Sequence, residues 1–265
     1  MRRHKVKQAF VWELHDAWAF PFAELLLIGF LAQTLSVTFI SYGATGVEES
    51  LLAGGVGIMR FTIFLRTEYP IIIFCTLMPA KVFGECVEKR KIHIPLMAGV
   101  SREELFVSKL MVTMLPIWVV QLGSLTAAAI LNHMFDFPYP ASIWVSTLIG
   151  VLVLSLFVSS FSILLSILLR KFSLAALLGI GLFAILDYWA LQTPFENMVG
   201  YVAPVKSAMV LEEALHRLLA QIMAGAHVYP SYPPPVYNFS IPYLLLFPFL
   251  FMLLAALAFR VIDLD

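Results

Sequence analysis

Apolar residues in this chain run in long blocks and do not alternate with polar ones. Blocks of roughly 20 mostly apolar residues recur over about 19–41, 68–86, 105–131, 142–169, 172–192 and 239–262, each long enough as a helix to cross ~30 Å of hydrocarbon. In lipid, backbone amides and carbonyls have to be satisfied within their own segment or around a closed barrel. Blocks of this length far exceed the ~10-residue alternating strands of a barrel. The pattern therefore predicts an all-α polytopic membrane protein with six transmembrane helices, forming a single transmembrane domain over residues 1–265. Arg170 and Lys171 separate the fourth span from the fifth, Pro138 and Pro140 mark the turn before the fourth, and 193–238 precedes the sixth.

Three shorter segments fall outside this scheme. Residues 5–18 place Val6, Phe10, Leu14 and Trp18 every four positions, leaving Lys5, Lys7, Glu13 and Asp16 available to water. They read either as an amphipathic helix on the headgroup boundary, with Trp12 and Trp18 as anchors, or as an extension of the first span. Leu51–Leu65 is apolar but short and carries Arg60, so it reads as a re-entrant or interfacial helix. In the outer segment, 205–224 reads as an amphipathic helix with Met209, Leu215, Leu219 and Ile222 on one face. The proline-rich 229–237 that follows is stiff and extended. That segment either lies on the outer leaflet or caps a central cavity, or is an ordinary connecting loop.

Charge sets the orientation. Of the 17 basic residues, 13 (Arg2, Arg3, Lys5, Lys7, Lys81, Lys89, Arg90, Lys91, Arg102, Lys109, Arg170, Lys171 and Arg260) fall on one side of a six-span chain. The positive-inside rule then places both termini in the cytoplasm, as expected of a multi-pass cell-membrane protein. The apolar run after Met1–Lys5 starts late and is too long for a signal-peptide core, so it reads as an uncleaved first span. Charged residues make up 13% of the chain and hydrophobic ones 61%, whereas a soluble domain carries about a quarter charged residues. A formal net charge of zero suggests no nucleic-acid partner. Cys75 and Cys86, eleven positions apart on one helix, stand about 16 Å apart and cannot bridge each other.

The most informative stretch is the second cytoplasmic loop, residues 81–109. Glu85, Glu88, Lys89, Arg90 and Lys91 leave the second span, and a short apolar run, Ile92 to Met97, follows. Gly99 breaks that run. Ser101 is placed to cap the next helix, with Glu104 three residues on completing a capping box, and Glu103 and Glu104 suit that helix's positive end. This describes a short helix lying across the membrane face, able to take a push from a soluble partner and pass it to two membrane helices.

Here the sequence resembles the permease subunits of type-2 ATP-binding-cassette (ABC) transporters. The resemblance rests on Glu88-Lys89-Arg90, the short helix Ile94 to Met97, the turn Gly99-Val100-Ser101-Arg102-Glu103-Glu104-Leu105, and Ser108-Lys109 opening the third span. The layout agrees along the whole chain: a basic N-terminal interfacial helix, six spans, a longer outer connection before the last, and a brief charged end at Arg260, Asp263 and Asp265. The resemblance implies a dimer, with a second copy or a paralogue, bound to two ATPase subunits and usually working as an exporter. The short cytoplasmic helix would be the coupling helix, making Glu88, Arg90, His93, Leu96, Ser101, Arg102 and Glu103 the candidate contacts with the ATPase subunit. The chain has no Gly-x4-Gly-Lys-Ser/Thr loop. It is therefore expected to be no enzyme and to bind no cofactor itself, with ATP-Mg held on the partner ATPase subunit.

Gln33 and Gln121 lie deep in spans and Asp187 near the outer end of the fifth, making them candidates for a translocation pathway. Interhelical bonding for the glutamines, and an interfacial acid for Asp187, are the alternatives. Glu24 reads as interfacial and Lys81 as reaching to the cytoplasm. The six histidines show no helical metal spacing, so no metal is expected. Glu212-Glu213-Ala214-Leu215-His216-Arg217 matches the Glu-Glu-x3-Arg signature of intramembrane prenyl-protein proteases, but only His227 follows to complete such a site. The competing readings are a membrane-embedded enzyme or assembly factor acting without nucleotide, and a structural or sensory subunit. Cargo is not legible beyond a lean towards hydrophobic or amphipathic molecules, and membrane lipid is the surrounding partner.

Overall fold

The computed structural model describes residues 2–19, 21–44, 70–134, 141–190, 204–224 and 237–262. All secondary structure among them is helical. In chain order the helices are α1 (Arg2–Ala17), α2 (Phe22–Ala44), α3 (Pro70–Glu88), the short α4 (His93–Met97), α5 (Arg102–Met134), α6 (Ala141–Leu169), α7 (Phe172–Ala190), α8 (Pro204–Ala224) and α9 (Tyr237–Val261).

Four of these are long and apolar enough to cross a membrane: Pro70–Glu88, Arg102–Met134, Ala141–Leu169 and, within α9, Ile241–Val261. Of the other two expected spans, 19–41 coincides with α2 from Phe22 on, whose Phe22–Leu35 part meets Phe10–Ala17 of α1 at 67°, and 172–192 coincides with α7, apolar over Phe172–Leu186. The bend falls in the turn around Pro21, which cannot donate a backbone hydrogen bond to continue α1. The Leu51–Leu65 segment and the proline-rich 229–236 lie outside the described residues.

Helix α6 is the hub, with α9, α8, α7, α3 and α5 all packed on it. It carries no charged residue, and its buried face is lined by Ser142, Ser146, Thr147, Ser155, Ser159, Ser160, Ser162 and Ser166. Small side chains let neighbouring backbones approach closely where lipid removes the hydrophobic drive to associate. Several of the hydroxyls satisfy themselves on their own helix, Ser146 on the Ile143 carbonyl at 2.9 Å and Ser160 on that of Phe157 at 2.9 Å. Aromatic rings fill the wider gaps. Phe157, Phe161 and Phe183 pack against Tyr243 and Phe251 of α9 or against each other at 5.1–5.8 Å, while Phe83, Phe106 and Phe259 join α3, α5 and α9. The opposite stripes of α2, α5, α7 and α9 (Ile28, Val119, Leu177 and Phe249 among them) stay exposed, as lipid-facing surface does.

Helix α8 keeps part of its expected face and adds a polar one. Met209 and Leu215 pack on the core, Ala208, Leu211, Glu212 and His216 are buried, and Ile222 is exposed. The buried face thus extends beyond the apolar stripe read from sequence, to where Ser146 and Thr147 of α6 donate to Glu212 Oε1 at 3.0 and 3.4 Å. A carboxylate is tolerated inside when hydroxyls reach it.

Helices α3 and α7 touch at near-backbone distance. A Cβ at Gly179 would run into Thr76 Cγ2, and one at Gly84 would lie 3.3 Å from Phe172 Cα. Gly179→Ala is therefore expected to destabilise the bundle by about 1–3 kcal/mol through overpacking. Thr76→Ser, which removes the offending methyl, is expected to restore much of that loss. Thermal unfolding of both variants in detergent, followed by gel filtration, checks this, and equal melting for the single and double variants would refute the contact.

Candidate functional site

The α4 element is shaped at both ends by left-handed backbone. Arg90 has φ 53° where the chain leaves α3, and Gly99 has φ 85° just beyond α4. At the exit the Val100 amide donates to the Pro95 carbonyl (3.1 Å) and the Gly99 amide to that of Leu96 (2.9 Å). This is a Schellman closure, with glycine at the position where a Cβ would be strained. Pro95 is accommodated because it sits in the first turn, where no intrahelical partner awaits its missing N–H. Ile92, Pro95 and Val100 turn inward, while Ile94 (62% exposed) and Met97 (87% exposed) point out.

The predicted cap is present at the start of α5. The Glu104 carboxylate accepts from the Ser101 amide and hydroxyl, both at 2.9 Å, and the Glu104 amide donates back to the Ser101 hydroxyl at 3.2 Å. Helix α5 has 33 residues, so it spans about 50 Å and outruns a ~30 Å hydrocarbon layer.

Charge pairs tie this end of the bundle together. Lys109 Nζ lies 2.6 Å from Glu13 Oε2, the two side chains being only 2% and 5% exposed, and also donates to the Val82 carbonyl at 3.3 Å. Val82 lies in a wide π-helical stretch of α3, Ala80–Glu85, a distortion that often accompanies functional sites. Lys91 donates to Asp16 (2.8 Å) and lies 3.5 Å from Glu85. The Trp18 indole donates to the Val112 carbonyl at 2.8 Å. Lys81 does not simply reach into water: its ammonium sits 3.8 Å from the centre of the Phe22 ring, a cation–π contact. Glu13, expected to face water, is buried because α1 packs against α5 and Lys109 waits there.

The seven residues expected to meet an ATPase surround α4, several of them with structural duties. The Glu88 carboxylate accepts the amide of Phe172, the first residue of α7, at 3.0 Å. Arg90 forms the exposed left-handed turn, His93 opens α4 half-buried, and Leu96 packs on the core. Ser101 serves the cap. Arg102 Nη1 donates to the carbonyls of Arg260 (2.6 Å) and Ile262 (3.0 Å), capping α9, and Glu103 pairs with Arg260 at 2.8 Å. The outward-facing pair Ile94 and Met97 was not among the contacts expected from sequence, nor was the bracing role of Glu13, Asp16, Lys91 and Lys109.

The pathway candidates lie elsewhere. Gln33 of α2 and Gln121 of α5 are buried, 3% and 0% exposed, and their carboxamide atoms have no hydrogen-bond partner among the described residues. Thr34 donates to the Ser124 carbonyl at 3.2 Å, which puts the two glutamines at one depth of the α2–α5 contact. Asp187 is in α7, its side chain outside the described residues. The Glu-Glu-x3-Arg stretch is engaged in packing: Glu212 with Ser146 and Thr147, Glu213 with Arg217 at 2.7 Å. Neither the family models nor the curated proteins compared with this chain match it.

Two outcomes are expected from this geometry. Lys109→Met leaves Glu13 buried without its charge partner and is expected to destabilise the protein by about 3–5 kcal/mol. Adding Glu13→Gln is expected to recover part of it, as thermal melts of the two variants will show. Burial works against the Lys91 charge, but the hydrogen bond and charge of Asp16, with the charge of Glu85, outweigh it and hold its pKa above the ordinary 10.5. A raised folded pKa contributes stability that is complete below the unfolded value and is lost as pH climbs through the folded one. The melting difference between wild type and Lys91→Met should therefore stay constant through neutral pH and shrink only above pH 10.5.

Proposed function

We propose that this chain is the permease subunit of an ABC transporter of the type-2 kind, with α4 as the coupling helix received by a separate ATPase subunit. The observation that carries this reading is the form of α4. Ile94 and Met97 stand out from a short helix held between two left-handed turns. That helix sits between the end of one long apolar helix and the start of another. Buried apolar anchors surrounded by polar rims are what protein interfaces use, and Lys89, Arg90 and Glu103 supply such a rim.

In this reading α2 and α7 join the four long helices to make six spans. Helix α1 lies along the cytoplasmic face, and both termini are inside. A push on α4 is passed to α3 and α5 directly, to α1 through Lys91–Asp16, to α7 through Glu88, and to α9 through Arg102. Two permeases, identical or paralogous, assemble with two ATPases, and ATP-Mg is bound and hydrolysed on the latter. Export of a hydrophobic or amphipathic cargo is the direction and class favoured, and Gln33 and Gln121 are the polar groups that a pathway could use.

The experiment is reconstitution of the chain in vesicles with an ABC ATPase encoded beside it. Met97→Glu combined with Ile94→Asp is expected to lower permease-dependent stimulation of ATP hydrolysis by about tenfold or more, since buried interface anchors contribute ~2 kcal/mol or more each, with little change in melting temperature. Stimulation unchanged by this double variant, or residues 88–104 labelled only from outside, would overturn the assignment.

A further inference from the structure

A second surface feature lies where the start of α5 meets the end of α9. A groove of about 330 Å³ opens there, with Phe106 and Phe259 buried in its floor and Leu253 (58% exposed) and Leu257 (50% exposed) along its wall. At its rim Arg260 Nη2 and Glu103 Oε1 are 2.8 Å apart, with side chains 66% and 70% exposed. We propose that this groove holds one acyl chain of a phospholipid whose headgroup is zwitterionic with a primary ammonium, as in phosphatidylethanolamine.

The apolar part of the groove cannot by itself choose an occupant. In a bilayer every lipid tail is as apolar as leucine, so no hydrophobic gain separates one chain from another. Discrimination has to come from the rim. An arginine fork matches two phosphate oxygens, and a carboxylate accepts N–H bonds from an ammonium but receives none from a trimethylated one. Arg260 and Glu103 place those two complementary charges side by side at the ends of apolar helices, the level at which headgroups lie. The exposed pair holds itself only weakly, so each partner can also engage a headgroup. Arg102 is excluded as a ligand by its own bonds to the Arg260 and Ile262 carbonyls. It keeps the two helix ends at fixed separation and so preserves the groove.

This inference requires a bilayer around the protein, and because its test uses the chain without an ATPase, its outcome is read separately from docking on α4. The test places a photo-reactive benzoylphenylalanine at Leu257 and, as a control, at the exposed Leu178 of α7. Each protein is reconstituted in vesicles of mixed phosphatidylethanolamine, phosphatidylcholine and phosphatidylglycerol, and the adducts are identified by mass. The expected result is a several-fold enrichment of phosphatidylethanolamine over its share of the vesicle at Leu257 and none at Leu178. Glu103→Gln is expected to abolish the preference for phosphatidylethanolamine over both other lipids, and Arg260→Gln, which removes the phosphate contact that all three share, to lower total lipid adducts at Leu257 relative to Leu178. Should either variant fold poorly, the choice of ethanolamine over choline by the unaltered rim remains the deciding comparison. Adducts that follow bulk composition at both positions, or a cross-link to a second copy of the chain, overturn the proposal.

Discussion

A lysine and a glutamate 96 positions apart share a site that water scarcely reaches, at the crossing of α1, α3 and α5. Removing two charges from water carries a penalty of several kcal/mol per ion, recovered only with close geometry and further hydrogen bonds. Lys109 meets that condition with Glu13 at 2.6 Å and with the Val82 carbonyl at the wide turn of α3. Neither charge can leave without stranding the other. Helix α1 is therefore held in one position against the helices on either side of α4, where an amphipathic helix resting on lipid alone could slide.

That constraint determines what α4 can do. Five residues of helix have little stability of their own, because helix nucleation is unfavourable and short segments do not hold in water. The element is rigid by virtue of its surroundings: the Schellman closure at Gly99, the cap at Ser101, Lys91 bound to Asp16, and the buried Ile92, Pro95 and Val100. Such an element, with two apolar side chains facing out, suits the coupling role proposed for it. The connections at Glu88 and Arg102 extend the reach to α7 and α9, so most of the described bundle meets at this end.

Away from that end the bundle follows a different rule. Close contacts between small residues, with hydroxyls bonded back to their own helices, pack α6 against five neighbours without requiring charge. Such packing is tight where side chains are smallest, as at Gly179 against Thr76. Glu212 is held there by the α6 hydroxyls, whereas the buried amides of Gln33, Gln121 and Asn132 find no bond among the described residues.

Helix positions, the α4 break, the Ser101–Glu104 cap and the gathering of charge at one end were legible in the sequence. Each depends on interactions within four residues or on hydropathy summed along a segment. Partner choice was not legible: any of several basic residues could have met Glu13. Nothing local marks Glu212 as buried or Arg102 as the cap of a helix more than 150 residues later. Those assignments depend on which helix faces which, a matter decided by side-chain volume and backbone approach across the bundle. The sequence by itself determined the elements and the solvent they need. Only the tertiary structure decided which charges find each other, because burial, unlike periodicity, is a property of neighbours distant in the chain.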